Sequence, residues 1–192
     1  MKICLATNNK GKIVELKQLL GDSDFEIVGL KEIGCDTDLP ETQNTFKGNS
    51  LQKAEYVYNH FHLACIADDS GLAIDALHGE PGVFSARYAG KHGDDAANIA
   101  LVLSKMQGIE NRQARFVTVI AYIDANGNKF TFEGKVEGTL TNQTLGTGGF
   151  GYDPIFIPKG YEQTFAELQP DIKNTISHRA QAMKRFLEFF GK

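Results

Sequence analysis

Cysteine is scarce in this chain and follows no pattern: Cys4, Cys35 and Cys65 are odd in number and lack a Cys-x-x-Cys spacing. That argues against a disulfide framework or a zinc site. Cys4 and Cys65 stand in apolar runs and read as small buried hydrophobes. Proline is also sparse, five residues against twenty glycines, which implies many tight turns. No apolar run reaches the roughly 18 residues of a membrane-spanning helix. The opening Met1-Lys2-Ile3-Cys4-Leu5-Ala6 turns polar at Thr7, too soon for a secretory leader. A cytoplasmic location and no membrane partner are therefore expected. Positive charge is not in excess either. A formal net charge of −4 at pH 7 disfavours polymeric nucleic acid as a partner, while leaving room for a local basic pocket for phosphates.

What is present is ordinary in bulk and unusual in places. With 192 residues, 42% hydrophobic and 23% charged, the chain fits one domain, or two lobes sharing a sheet. The most informative stretch is Leu63-Ala64-Cys65-Ile66-Ala67 followed by Asp68-Asp69-Ser70-Gly71. It reads as a central strand running into a turn, with two carboxylates at the strand's carboxyl end, where α/β sheets bind ligands. The alternative is a plain polar turn. Adjacent side chains on an extended chain face opposite ways, so one aspartate is expected in a cleft and the other bracing backbone or a neighbouring loop.

Before this stretch, residues 3–6 read as a strand. Ile13, Leu16, Leu19 and Leu20 then mark a helix ended by Gly21. The linking Thr7-Asn8-Asn9-Lys10-Gly11-Lys12 is not a P-loop. Free N–H groups at the helix start suit a phosphate, although an N-capped helix with solvated lysines is the alternative. Residues 25–29 read as a short strand and 31–43 as an acidic loop carrying Asp36, Asp38 and Glu41. From Thr45 a helix is predicted with Leu51, Ala54 and Tyr58 on one face. Asn49 and Lys53 share another, either turned to a cleft or simply exposed.

Beyond the acids, 72–74 reads as a separate short strand. Asp94 caps a scaffold helix with Ala97, Leu101, Leu103 and Met106 as its apolar positions. Residues 116–123 form a central strand, Asn126-Gly127 a hairpin turn and 129–138 an antiparallel return, so the sheet is mixed. Residues 146–154 hold four glycines in six positions ahead of Phe150-Gly151-Tyr152-Asp153-Pro154. Glycine there lets backbone approach a ligand, and Phe150 and Tyr152 can stack on a base; the alternative is a flexible linker. A strand at 155–157 follows. One last helix carries Ile176, Ala180, Met183, Leu187 and Phe190, with Lys173, Asn174, Ser177, His178 and Arg179 at its start. Cations are disfavoured at that end of a helix, so a ligand is expected to supply the balancing anion.

These pieces, in this order and spacing, resemble one family, the inosine triphosphate pyrophosphatases, also called Ham1 or RdgB-like non-standard purine NTP pyrophosphatases. The likeness is carried by 7–12, Glu41-Thr42, Thr45-Phe46, Asn49, Lys53-Ala54, 67–72, Pro81-Gly82, Ser85-Ala86-Arg87-Tyr88, 146–154 and Ser177-His178-Arg179. Gly48 and Phe84 depart from it. Many members have glutamate and tyrosine there, and Gly48 bears on whether an additional carboxylate supports the metal.

The resemblance implies an α/β fold with a long mixed twisted sheet flanked by helices, a single domain over 1–192 with two lobes around a central active-site cleft, and a homodimer. It implies Mg²⁺-dependent cleavage of ITP, dITP or XTP between the α and β phosphates. Asp69 would be the catalytic carboxylate, Glu41 and Asp69 the metal ligands, with Asp68 and Asn49 in support. Thr7, Asn8, Asn9, Lys10, Gly11, Lys12 and Lys53 would hold the triphosphate. Ser70, Phe150, Gly151, Tyr152, Asp153, Lys173, His178 and Arg179 would hold ribose and base. A Maf-like pyrophosphatase of other nucleotides and a non-catalytic nucleotide sensor are the alternatives.

Overall fold

Three helices begin at a side chain that satisfies one of their otherwise unpaired N–H groups. Asn9 Oδ1 accepts from Lys12 N at 3.1 Å ahead of α1 (Lys10–Leu20), and Thr45 Oγ1 from Gly48 N at 3.0 Å ahead of α2 (Phe46–Phe61). Asp94 Oδ1 accepts from Ala97 N at 3.1 Å ahead of α3 (Asp95–Lys105). The computed structural model describes residues 1–21 and 25–191. Six strands, β1 (Lys2–Leu5), β2 (Glu26–Gly29), β3 (Cys65–Ile74), β4 (Gln113–Ile123), β5 (Lys129–Leu140) and β6 (Phe156–Pro158), form one sheet in the order β2-β1-β3-β4-β5-β6. β1 runs parallel to β2 and β3, and β6 antiparallel to β5. Between β4 and β5 the carboxylate Asp124 Oδ1 accepts from the N–H groups of Asn126 and Asn128, closing a turn too short for a parallel crossover. The sheet is mixed, as expected, and the fold is α/β.

The chain divides into two compact units, Met1–Asp69 with Thr118–Gly134 and Arg179–Lys192, and Ser70–Val117 with Lys135–His178. In the first unit, strand alternation sorts the core. Ile3, Leu5, Ile66, Ile120 and Tyr122 pack with Leu16 and Leu20 of α1 and with Ala182, Met183 and Phe186. Cys4, Cys65, Ala67, Ala121 and Ile123 pack with Ala54 and Val57 of α2. Burial pushes the Cys4 and Cys65 thiols up to about 12, so both are inert hydrophobes, as the sequence predicts. In the second unit Leu72, Ile74, Phe116, Leu140 and Phe156 enclose Ile99 and Val102 of α3 together with Tyr152 and Phe165.

Three expectations need correction. The segment Asp68-Asp69-Ser70-Gly71 is not a turn, because β3 continues through it to Ile74 and absorbs the separate strand expected at 72–74. Asp68 is met by Lys12 and Arg179 and Asp69 by Asn49 and Lys53, all on helices, so the strand has no need to end at the acids. The last helix is two, α4 (Pro170–Ile176) and α5 (His178–Phe189), split at Ser177, whose ψ of 158° is extended. Ile176 therefore sits in α4, and the buried face of α5 is Ala180, Ala182, Met183 and Phe186. On α3 the buried positions are Asn98, Ile99 and Val102, with Met106 at the C-cap, whereas Ala97, Leu101 and Leu103 are only half-buried. Apolar periodicity misses this face because it contains a polar residue: Asn98 Oδ1 accepts from Ala89 N at 2.8 Å.

Candidate active site

The parity of β3 decides what each aspartate meets. Ile66 belongs to the face that packs with α1 and α5, so Asp68, two residues on, points the same way. Cys65 and Ala67 pack with α2, and Asp69 follows them. Asp68 Oδ2 lies 3.1 Å from Lys12 Nζ of α1, and 3.4 and 3.3 Å from Arg179 Nε and Nη2 of α5. Arg179 Nη1 also donates to Glu15 of α1. Burial alone would raise the pKa of Asp68, but Lys12 and Arg179 overcome it and hold the carboxyl well below the usual carboxylate range. Asp68 Oδ1 is buried and has no hydrogen-bond partner among the described residues.

Asp69 stands in a different field. Asn49 Nδ2 donates to its Oδ2 at 3.0 Å, and Lys53 Nζ lies 3.8 Å from its Oδ1. Burial pushes its pKa up. Lys53 and Lys12 oppose that, Glu41 adds to it, and burial prevails. Lys53 donates to Glu41 Oε1 at 2.5 Å and to the Asp68 carbonyl at 2.7 Å. Burial disfavours the ammonium, yet Asp69, Glu41 and Asp68 together raise its pKa, so it stays cationic. Asn49 and Lys53 thus share a face of α2 that is buried against acids, not the exposed polar face that was the alternative.

The strap that delivers Glu41 is tied to α2 as well. Gln43 N donates to Asn49 Oδ1 at 2.9 Å and Thr42 N to Gln52 Oε1 at 2.9 Å. A Cβ at Gly48 would lie 2.7 Å from Gln43 Cβ, so the absent side chain lets the strap close. At the first loop, Thr7 Oγ1 accepts from Asn9 N at 3.2 Å, and Lys12 N is already capped. Two N–H groups expected to be free for an anion are therefore used internally. Lys10 and Gly11 open α1, while Asn8 and Lys10 are exposed.

Among the described residues, no group of three or more His, Cys, Asp or Glu is arranged to hold a metal ion. Mg²⁺ does not need one, since it commonly takes one or two protein carboxylates and completes its shell with water and substrate phosphates. Glu41 and Asp69 share the Lys53 ammonium between them, and their carboxylate oxygens are the donor type that suits a hard divalent cation.

The second unit gathers residues 149–153, Lys173 and α3. Asp153 Oδ2 accepts from Phe150 N at 2.9 Å and from Lys173 Nζ at 2.6 Å, and that ammonium lies 4.9 Å above the Phe150 ring. Gly151 N donates to Asp95 Oδ2 at 2.7 Å. The expected stacking role of Tyr152 is corrected, because its ring is buried in the core and its hydroxyl donates to the Ser85 carbonyl at 2.8 Å. Phe150 is half-buried. Three of the glycines admit close approach by the chain itself, while a Cβ at Gly151 would meet nothing within 4 Å. A Cβ at Gly146 or Gly148 would meet Ala166 backbone at 2.7 or 2.8 Å, and one at Gly149 would lie 2.0 Å from Asp153 Oδ2. His178 is buried and stacks on Phe116, centroids 4.7 Å apart and planes 9° from parallel. Ser70, half-buried in β3, begins this unit.

The anion at the start of α5 is also corrected. For Arg179 it is the chain's own Asp68 and Glu15, not a ligand. Glu15, Asp95 and Ser85 escaped the sequence reading as site residues. Glu15 left a signal, three positions after Lys12 and beside the apolar Leu16, and Ser85 stands in the 85–88 run that carries the resemblance.

Carboxylates interleaved with the buried Lys53 and the half-buried Lys12, one acid held strongly ionised and its neighbour raised, define a site suited to metal-assisted phosphoryl chemistry. Sequence and structure comparisons place it: the chain belongs to the Ham1 family, whose model matches residues 3–189. A dITP/XTP pyrophosphatase of Porphyromonas gingivalis is 49% identical over 98% of this chain and 96% of its own length. That of Bacillus subtilis is 48% identical over 94% and 92%. The structure of the Staphylococcus aureus Ham1 protein superposes with a TM-score of 0.91 at 39% identity, covering 100% of this chain and 98% of the other.

Proposed function

We propose that this chain hydrolyses non-standard purine nucleoside triphosphates, dITP, ITP and XTP, to the monophosphate and pyrophosphate, and so removes them from the nucleotide pool. The observation that carries the reading is Asp69, a buried carboxylate with a raised pKa, held by Asn49 and Lys53 in a chain of this family. A carboxylate whose pKa is raised is a better proton acceptor than a surface aspartate. It takes a proton from the attacking water while the new P–O bond forms at the α phosphorus. The bridging oxygen then leaves with pyrophosphate.

Lys12 and Lys53 bind the charge of the triphosphate, and Asn49 aims Asp69. Glu41 and Asp69 would hold Mg²⁺, which when bound neutralises the charge developing on the leaving pyrophosphate. Asp68, strongly ionised, keeps Lys12 and Arg179 in place. In the second unit, Phe150 with Asp153 and Lys173 is proposed to recognise the nucleoside, with backbone at Gly151 and Tyr152 in support. A homodimer in the cytoplasm is part of the same proposal. The carboxylate and lysine set favours a hydrolase over a passive sensor of nucleotides.

The test is hydrolysis of a panel of triphosphates, dITP, ITP, XTP and the common four, with and without Mg²⁺. The reading requires the highest kcat/KM for the first three and loss of turnover on chelation. Equal activity on all members, or preference for a pyrimidine, would favour the Maf-like alternative.

A further inference from the structure

The α3 helix reads from the sequence as scaffold, yet its first turns reach two loops. Asn98, on its buried face, takes the Ala89 N–H, and Asp95, its first residue, takes the Gly151 N–H at 2.7 Å across 56 residues of sequence. The segment that receives Asp95 is under demand. Gly149 and Gly151 both sit at positive φ, 71° and 60°. The Phe150 N–H is closed locally on Asp153 Oδ2, three residues away, and Asp153 is engaged by Lys173. That local bond sets the shape of the turn. Placing it on a rigid element takes a contact distant in sequence, and for the Phe150–Gly151 peptide this contact is the Asp95 carboxylate. A backbone N–H bonded to a carboxylate is a charge-assisted bond, stronger than its neutral counterpart.

We infer that Asp95 is a positioning residue for substrate binding: its carboxylate fixes the peptide that carries Phe150, and so holds that ring, over which the Lys173 ammonium lies, ready for the nucleoside. The inference rests on the proposed function, because it assigns nucleoside recognition to this segment. Asp95 acts on binding and not on the chemical step, since it touches neither Asp69 nor the lysines that hold phosphate. It does not cap α3, whose N-cap is Asp94.

The experiment compares the parent with Asp95→Ala and Asp95→Asn, using dITP and XTP at saturating Mg²⁺, with inorganic tripolyphosphate as a competitive inhibitor lacking a nucleoside. Asp95→Ala should raise KM about ten-fold, the scale of one lost hydrogen bond to a charged group. Its kcat should stay within about two-fold and its tripolyphosphate inhibition constant should not change. Asp95→Asn keeps an acceptor oxygen and should recover most of the parent KM. Alanine is well tolerated at a first helical position, and the melting temperature of each variant checks the fold. If Asp95→Ala fails to fold, the same KM comparison is made on Asp95→Ser, which is too short to reach Gly151. An unchanged KM in the truncated variant overturns the inference, as does a fall in kcat alone, an equal loss of tripolyphosphate binding, or an Asp95→Asn as impaired as Asp95→Ala. Failure of the parent to release pyrophosphate from dITP or XTP would instead overturn the function on which the inference rests.

Discussion

Asp68 and Asp69 are chain neighbours held to opposite electrostatic ends. Asp68 is kept ionised by Lys12 and Arg179 despite burial, while burial raises Asp69. Asp69→Asn keeps volume and a bond to the Asn49 amide, but removes the proposed base and one of the oxygens proposed to hold Mg²⁺. It should remain folded and lose at least about a hundred-fold in kcat, the usual worth of a positioned base; steady-state rates near the parent's would refute the assignment.

Arg179 carries a different expectation. Truncating it leaves Asp68 and Glu15 buried without their shared cation, which costs about 3–5 kcal/mol when a buried ion pair is broken. Arg179→Ala should therefore melt about 10 °C lower, and a melting temperature equal to the parent's would contradict the ion-pair reading. For Asp68 the sign follows from a lowered folded pKa. Its contribution is present above the unfolded value of about 4 and is lost as pH falls from there toward the folded value. The stability gap between parent and Asp68→Asn, from denaturant midpoints in metal-free buffer, should be full at neutral pH and shrink below about pH 4. A gap that widens on acidification would be the wrong sign.

At the scale of elements, legibility followed periodicity. Strand 116–123, the Asn126-Gly127 turn and the α2 face bearing Asn49 and Lys53 were readable because spacing alone places them. The aspartates were predicted to be unequal from strand alternation, and their separate partners agree. What failed were boundaries set by side-chain chemistry. Asp-Asp-Ser-Gly looks like a turn because the lysines, arginine and amide that let it continue as strand lie far away in sequence. Tyr152 looks like a stacking residue because nothing local shows that its hydroxyl reaches Ser85. Within 146–151, Gly146, Gly148 and Gly149 stand out in the sequence, and the close neighbours that need them are the chain's own Ala166 and Asp153.

That segment yields a contrast. Gly149 and Gly151 both need positive φ, yet a Cβ would strike Asp153 Oδ2 at the first and meet nothing within 4 Å at the second. Gly151→Ala should cost about 1 kcal/mol for backbone alone, and Gly149→Ala about 1–3 kcal/mol more for strain at Asp153. Chemical denaturation of the pair checks the order, and equal losses would show that Asp153 yields freely.

At the scale of the whole molecule, the boundaries between the two compact units fall inside β3, β4, β5 and α5. No short linker separates them, so the proposal of one domain over 1–192 predicts a single calorimetric transition with equal van't Hoff and calorimetric enthalpies. Two resolved transitions would refute it.

If the carboxylates around Asp69 direct water to the α phosphorus, as proposed, then XTP and Mg²⁺ should give XMP and pyrophosphate in equal amounts from the first turnover, identified by chromatography. XDP and orthophosphate would instead place the attack at the γ phosphorus and refute the proposal.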